Sequence, residues 1–162
     1  MAVQAEPIPP VVAGGEASVL MFLVAGKQLA VDMDRVQQIL EYQPPTRTPR
    51  RPSSVEGIIR HKGRYLPVVS LRRRLGVEEP GPASSAILLL SGIGQDPLVG
   101  LTVDQVLRVL SLQPDKLSPP PPRVFGIRVE FIRGVVNAGG RPVVWLDVVK
   151  LLTSAEPITL LA

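Results

Sequence analysis

The chain contains no cysteine and one histidine, His61. Disulfide staples, thiolate metal sites, cysteine nucleophiles and histidine clusters are therefore excluded, and no cofactor or metal is expected. Aromatic residues are scarce, at 4%. The core must then come from Val, Leu and Ile, side chains that favour strands. Long apolar runs are missing too. "VLMFLVA", Val19 to Ala25, is far short of the ~20 residues needed to span a bilayer. The opening "MAVQAEPIPPVVAGGEA" has neither the basic start nor the apolar stretch of a signal peptide. A soluble, cytoplasmic protein without membrane insertion is expected. Nucleotide and hydrolase signatures are also absent. There is no P-loop, no GxSxG elbow, and no GxGxxG between strand and helix; "SGIG" lies in an expected hairpin turn.

What is present is a concentration of positive charge. The net charge is +4 over 162 residues. Nine basic residues fall between Arg47 and Arg74 (Arg47, Arg50, Arg51, Arg60, Lys62, Arg64, Arg72, Arg73, Arg74), against one acid, Glu56. The remainder is net acidic. A chain of this length buries roughly 70% of its unfolded surface, enough for one large domain or two small units.

The pattern also repeats. "SVLMFLV", the turn "AGKQ" and "LAVDM" read as a hairpin, followed by "DRVQQIL". Asp34, three residues before Gln37, resembles a helix cap, and Val36, Ile39 and Leu40 share a helical face, so a short helix is expected there. "YQPPTRTPRRPSS" is an extended, proline-rich connection, and "VEGIIRHKGRYLPVVSL" is a second hairpin turning at Lys62–Gly63. The order then recurs: "SAILLLS", a longer turn "GIGQDP", "LVGLTVDQVLRVL", "SPPPPRVFG" and "GVVNAGGRPVVWLDVVKLL". Asp34, Val36 and Leu40 return as Asp104, Val106 and Leu110; Gly57, Gly63, Arg64 and Leu75 return as Gly134, Gly140, Arg141 and Leu152. The spacing indicates an internal duplication of a mainly β unit with short helices, each copy supplying four or five short strands as in a small β-barrel, and the two copies packed on each other. The expected organisation is a tail at 1–16, a single domain at 17–152 with subdomains near 17–82 and 83–152, and a tail at 153–162. Whether strands exchange between the units is left open by the sequence.

Candidate chemistry is thin. Asp32 ends a strand and Asp34 caps a helix, which argues against a paired-carboxylate site. His61 reads as a solvated turn residue, Pro119 to Pro122 as a linker rather than a polyproline ligand, and Trp145 as a core or interface aromatic. The basic segment invites a nucleic-acid reading. Single-strand binders, however, add aromatic stacking platforms, and only Tyr65 lies inside the basic stretch. The run Arg72 to Arg74 falls at a strand end or turn, where its side chains diverge.

In order and spacing the motifs "FLVAGKQLAVDMDRVQQIL", "TRTPRRPSSVEGIIRHKGRYLPVVSLRRRLG", "VGLTVDQVLRVLSLQPDKLSPPP" and "FIRGVVNAGGRPVVWLDVVKLL" resemble the CheW-type adaptor proteins of bacterial chemosensory arrays. The resemblance covers about Val19 to Leu152. It implies two SH3-like five-stranded barrels and no enzymatic activity. It also implies coupling of a chemoreceptor's cytoplasmic tip to the regulatory domain of a CheA-type histidine kinase. The implied partner-contact region includes Val36, Gln38, Ile39, Gly57 and Lys62; Val106 and Val109 are candidates for a facing wall in the second repeat. This chain departs from the family at three of its acids and bases. Lys62 stands for an arginine, Gln38 for a glutamate and Ser70 for an aspartate, while Arg60 adds a base. Lysine lacks the planar fork of arginine. The alternatives to an ordinary adaptor are a divergent paralogue with altered partners in a parallel motility or signalling pathway, and a nucleic-acid-binding small barrel.

Overall fold

The computed structural model describes residues 17–47, 49, 54–76, 86–94, 96–113, 117, 123–124 and 126–153. Much of the proline-rich connection, Pro119 to Pro122 and both terminal tails lie outside these residues, except Thr153, which ends a helix rather than opening a tail.

Each repeat opens with a hairpin. β1 (Ala17–Val24) and β2 (Lys27–Asp32) form the first; β6 (Ala86–Ile93) and β7 (Asp96–Val103) form the second. The strands of the second hairpin run further into "GIGQDP" than expected, leaving only Gly94 and residue 95 between them. Each hairpin is followed by one strand, β3 (Val36–Glu41) or β8 (Gln105–Leu112). β4 (Val55–His61) and β5 (Arg64–Ser70) complete the first repeat, ending in a one-turn helix α1 (Leu71–Arg74). The second repeat inserts a small ribbon, β9 (Arg123–Val124) with β10 (Ile127–Arg128), before β11 (Ile132–Ala138), β12 (Arg141–Leu146) and helix α2 (Val148–Thr153).

The helix expected over "DRVQQIL" is not formed. A 3-10 turn at Met33–Arg35 leads directly into β3, and Asp34 caps nothing. The helical spacing came from a β-bulge. Val36 pairs with Leu90 and Gln38 with Leu89, so Gln37 is an extra residue. That insertion lets Val36 and Ile39, three apart, face the same core, while Leu40 turns to the other side. β8 repeats the device: Phe22 faces Val106 and Met21 faces Arg108, leaving Leu107 as the extra residue.

The strands assort into two sheets, β11-β12-β2-β1-β8 and β3-β6-β7-β5-β4. Each sheet therefore takes the opening hairpin of one repeat and the three later strands of the other. Each sheet joins the repeats twice, once antiparallel and once parallel: β1 with β8 and β2 with β12 in the first, β3 with β6 and β5 with β7 in the second. Each sheet keeps a small core of its own: Val19, Met21, Val143 and Trp145 in one, Ile59, Leu66, Ile87 and Leu89 in the other. The largest core lies between them. Leu20, Phe22 and Val31 meet Leu88, Leu90 and Leu101 there, with Leu71 and Leu151 from the two helices. Burial of each such side chain contributes about 1.5–3 kcal/mol relative to exposure.

Gly57 and Gly134 sit at matching bulges, beside Val55 and Ile132. Gly57 holds φ +151, and a Cβ there would overlap the carbonyl oxygen of Thr46. Thr46 and Ile58 exchange backbone hydrogen bonds of 2.8 and 2.9 Å across this point. At Gly134 the space belongs to Leu117, whose Cδ1 would lie 2.7 Å from a Cβ. Both glycines admit the preceding connection against the barrel wall.

Candidate partner-binding site

The β4–β5 hairpin carries the basic centre of the sequence to an exposed tip. His61 pairs with Arg64 across a two-residue turn, with Lys62 at φ 50 and Gly63 at φ 78. Such double left-handed turns match the strand twist and favour Asn or Gly at the first position. From Nε2, His61 donates to Gln38 Oε1 of β3 (3.1 Å), and Gln37 Nε2 donates to Ser91 Oγ (3.1 Å). Between hairpin and β3 lies an open cleft of about 270 Å³, lined by Gln37, Gln38, His61, Lys62, Arg64, Leu66, Leu89 and Leu98. Gln38 and Lys62 thus share one site, and His61 is a bonded part of its rim.

The other expected contact residues lie elsewhere. Val36 is only 6% exposed, and Ile39 and Val106 pack partly buried against the same inter-sheet core. Gly57 is buried and shapes the bulge. Val109 is different: at 40% exposure it is one of the larger apolar side chains on the surface, with Tyr65 and Val129.

The structure divides the basic run. Arg72 forms a bidentate pair with Asp104 (2.8 Å), Arg74 is buried and donates to Leu151 O (3.0 Å), and burial lowers its pKa. The three arginines do diverge, but from a helical turn. Glu56, the lone acid of the segment, accepts from Tyr42 Oη (3.1 Å) and Thr102 Oγ1 (2.8 Å); burial and this carboxylate raise the tyrosine's pKa. Two of the three adjacent arginines are thus committed to the fold, which leaves a poorer phosphate-binding surface than the sequence suggests. Ser70 is also structural. Its Oγ accepts from Arg73 N (3.2 Å) and caps α1. Asp147 Oδ1 does the same for Lys150 N in α2 (3.1 Å). Ser and Asp are comparable caps, so this departure from the family leaves the surface untouched.

A second cleft, of about 240 Å³, lies beside α2 and includes Asp32, Arg35, Arg133, Asp147 and Lys150. Asp32 accepts from Arg133 and from the buried indole N–H of Trp145, and the Arg133 guanidinium stacks 4.5 Å from the Trp145 ring centre. Burial nevertheless dominates and holds the Asp32 carboxyl above its ordinary 3.8. Asp32 and Asp34 do not form a catalytic pair here, because Asp32 is committed to the indole and guanidinium. No group of three or more His, Asp or Glu able to hold a metal occurs among the described residues, and none of their helices is long and apolar enough to cross a membrane.

The hairpin-exchanged pair of barrels has a known counterpart: the CheW-like domain description matches residues 18–156. The chain belongs to the CheW-like family. It is 31% identical over 140 residues to the chemotaxis protein CheW of Thermotoga maritima, covering 85% of this chain and 88% of that one. It is 28% identical over 137 residues to the chemotaxis protein CheW of Klebsiella aerogenes, covering 85% and 82%. Protein FrzA of Myxococcus xanthus is 31% identical over 146 residues, covering 87% and 88%. The crystal structure of scaffolding protein TtCheW from Thermoanaerobacter tengcongensis has the same fold, with a TM-score of 0.76 at 24% identity over 96% of this chain and 95% of that one. The expected pair of SH3-like barrels is therefore the CheW-like architecture. CheW-like domains are chemotaxis adaptors rather than enzymes.

Proposed function

We propose that the protein couples the cytoplasmic tip of a chemoreceptor to the regulatory domain of a CheA-type histidine kinase, in the cytoplasm beside receptor arrays. Its work is scaffolding: it holds two partners in a productive arrangement and changes neither chemically. The observation that carries this reading is the match across residues 18–156, which includes both barrels and their shared core. An adaptor of this kind needs two separate outer faces on a rigid body. Hairpin exchange supplies the rigidity, since neither sheet is complete without the other repeat.

The test is calorimetric titration with the kinase regulatory domain and, separately, with a receptor-tip fragment from the same cell. Saturable binding to both, at micromolar affinity or tighter, is expected. Binding to neither, with all components folded, would sink the reading. A second reading, a paralogue serving other partners, is favoured by Gln38 and Lys62, which alter charge and geometry within the first cleft. It predicts binding to a different receptor or regulatory domain.

A further inference from the structure

The chain crosses between the two sheets in the same way in each repeat, yet the two crossings are fastened differently. β7 passes into β8 at Asp104, and β2 passes into β3 at its match, Asp34. At the Asp104 crossing the carboxylate accepts from Ala25 N in the turn of one sheet (2.9 Å) and from the fork of Arg72 in α1, at the end of the other (2.8 Å). Asp104 N also donates to Leu23 O (3.0 Å).

The Asp34 crossing lacks each of these parts. The residue of α2 that matches Arg72 is Val149, whose side chain has no donor. Asp34 is exposed. Among the described residues its carboxylate makes no hydrogen bond or ion pair, and its N–H does not reach Ile93 O, the match of Leu23 O. Arg35 does not replace the lost clasp. Its Nη1 donates to Ser91 O and Gly92 O at 3.2 and 3.3 Å, which ties the crossing only to β6, the neighbour of β3 within one sheet. Beside α2 an open cleft of about 240 Å³ remains, lined by Arg35, Arg133, Val149 and Lys150 among others.

Apolar packing between sheets is non-directional and permits small sliding, whereas a charge-assisted fork fixes geometry. The fork here is well shielded, with side chains 17% and 6% exposed. A body pinned at one edge and only packed at the other moves about the pin.

We propose that the Arg72–Asp104 clasp is a hinge: the two sheets rock about it and part at the Asp34 crossing, widening the cleft beside α2. On the adaptor reading, that rocking changes the angle between the outer faces of the two barrels.

The experiment is native-state hydrogen exchange on the full chain, followed by nuclear magnetic resonance and corrected for sequence. Two pairs of amides with equal local bonds report on the two edges. Asp147 N donates to Phe131 O and its match Ser70 N to Ser54 O, at 2.8 Å each. Leu151 N donates to Asp147 O and Leu75 N to Leu71 O, at 2.9 Å each, and both leucines are buried. Local bonding alone would protect the members of each pair alike. The hinge predicts exchange roughly 10-fold faster or more at Asp147 and Leu151. Val149→Arg supplies the missing fork opposite Asp34. It should slow those two amides roughly 10-fold, leave Ser70 and Leu75 unchanged, and lose its effect when combined with Asp34→Asn. Val149→Met, long but uncharged, should not slow them.

Equal protection within both pairs of the wild type overturns the proposal, and that comparison decides alone if Val149→Arg does not fold. Folded Val149→Arg that exchanges like the wild type also overturns it, as does equal slowing by Val149→Met or persistence of the effect with Asp34→Asn. No partner enters the measurement, so its failure is distinct from failure of the adaptor reading.

Discussion

Replacing Asp104 with alanine removes three attachments at once. The carboxylate accepts from Arg72 through Nε and Nη2 at 2.8 Å each and from Ala25 N at 2.9 Å, while its own backbone N–H donates to Leu23 O (3.0 Å). It therefore joins the β1–β2 hairpin of one sheet to helix α1 at the end of the other. The two side chains are 6% and 17% exposed, so solvent screens the pair weakly. Breaking a buried pair from one side costs about 3–5 kcal/mol; the residual exposure of Arg72 places this case near the lower end, about 3 kcal/mol. For a domain of this size that lowers Tm by roughly 6–12 °C. Arg72→Met should cost less, because Ala25 N still satisfies the carboxylate. The assay is urea unfolding followed by Trp145 fluorescence and far-ultraviolet circular dichroism, applied to both single variants and the double. A coupling of at least about 1 kcal/mol is expected, with coincident transitions by the two probes because each sheet contains strands of both repeats. Additivity within about 0.3 kcal/mol would refute the idea that this clasp fastens the sheets together.

Three further outcomes follow from the same geometry. Gly57→Ala must displace the Thr46 backbone and adopt an unfavourable φ, so a loss of about 2–4 kcal/mol in chemical denaturation is expected; a change below about 0.5 kcal/mol would contradict the close approach. Val36→Asp places an unpaired carboxylate in the inter-sheet core and should abolish cooperative unfolding, so its effect on partner binding would report folding rather than contact. Asp32 titrates above its ordinary 3.8 in the folded protein, so the folded state takes up that proton first as pH falls. Its contribution to stability thus rises as pH drops through the folded-state value towards 3.8. Asp32→Asn should remove that slope, measurable by urea midpoints across mildly acidic pH.

The duplication was legible because a repeat preserves the residues that geometry demands. Gly57 and Gly134 recur since each admits a connecting chain or side chain against a bulge, and Ser70 and Asp147 recur as alternative helix caps. The exchange of hairpins was not legible. The β2–β12 and β5–β7 pairings join strands far apart in sequence, and no local pattern encodes which copy of a hairpin a strand selects. The short helix over Val36 to Leu40 was misread for a local reason: a bulge at Gln37 turns a spacing of two into three, mimicking a helical face. Charge misled in a similar way. The basic stretch reads as one patch along the chain, yet α1 directs Arg72 and Arg74 inward, leaving Lys62 and Arg64 to define the cleft. Among the apolar contact candidates, Val36 packs in the inter-sheet core, which the sequence did not show because burial there depends on the facing sheet.

An adaptor must couple its two partners, and reconstitution measures that coupling. A CheA-type kinase and receptor-containing membranes from the same cell would be combined with and without this protein, and autophosphorylation followed with and without attractant. Attractant-dependent kinase activity is expected only when the protein is present. Full attractant control in its absence, or none when it is added at saturating concentration, would contradict it.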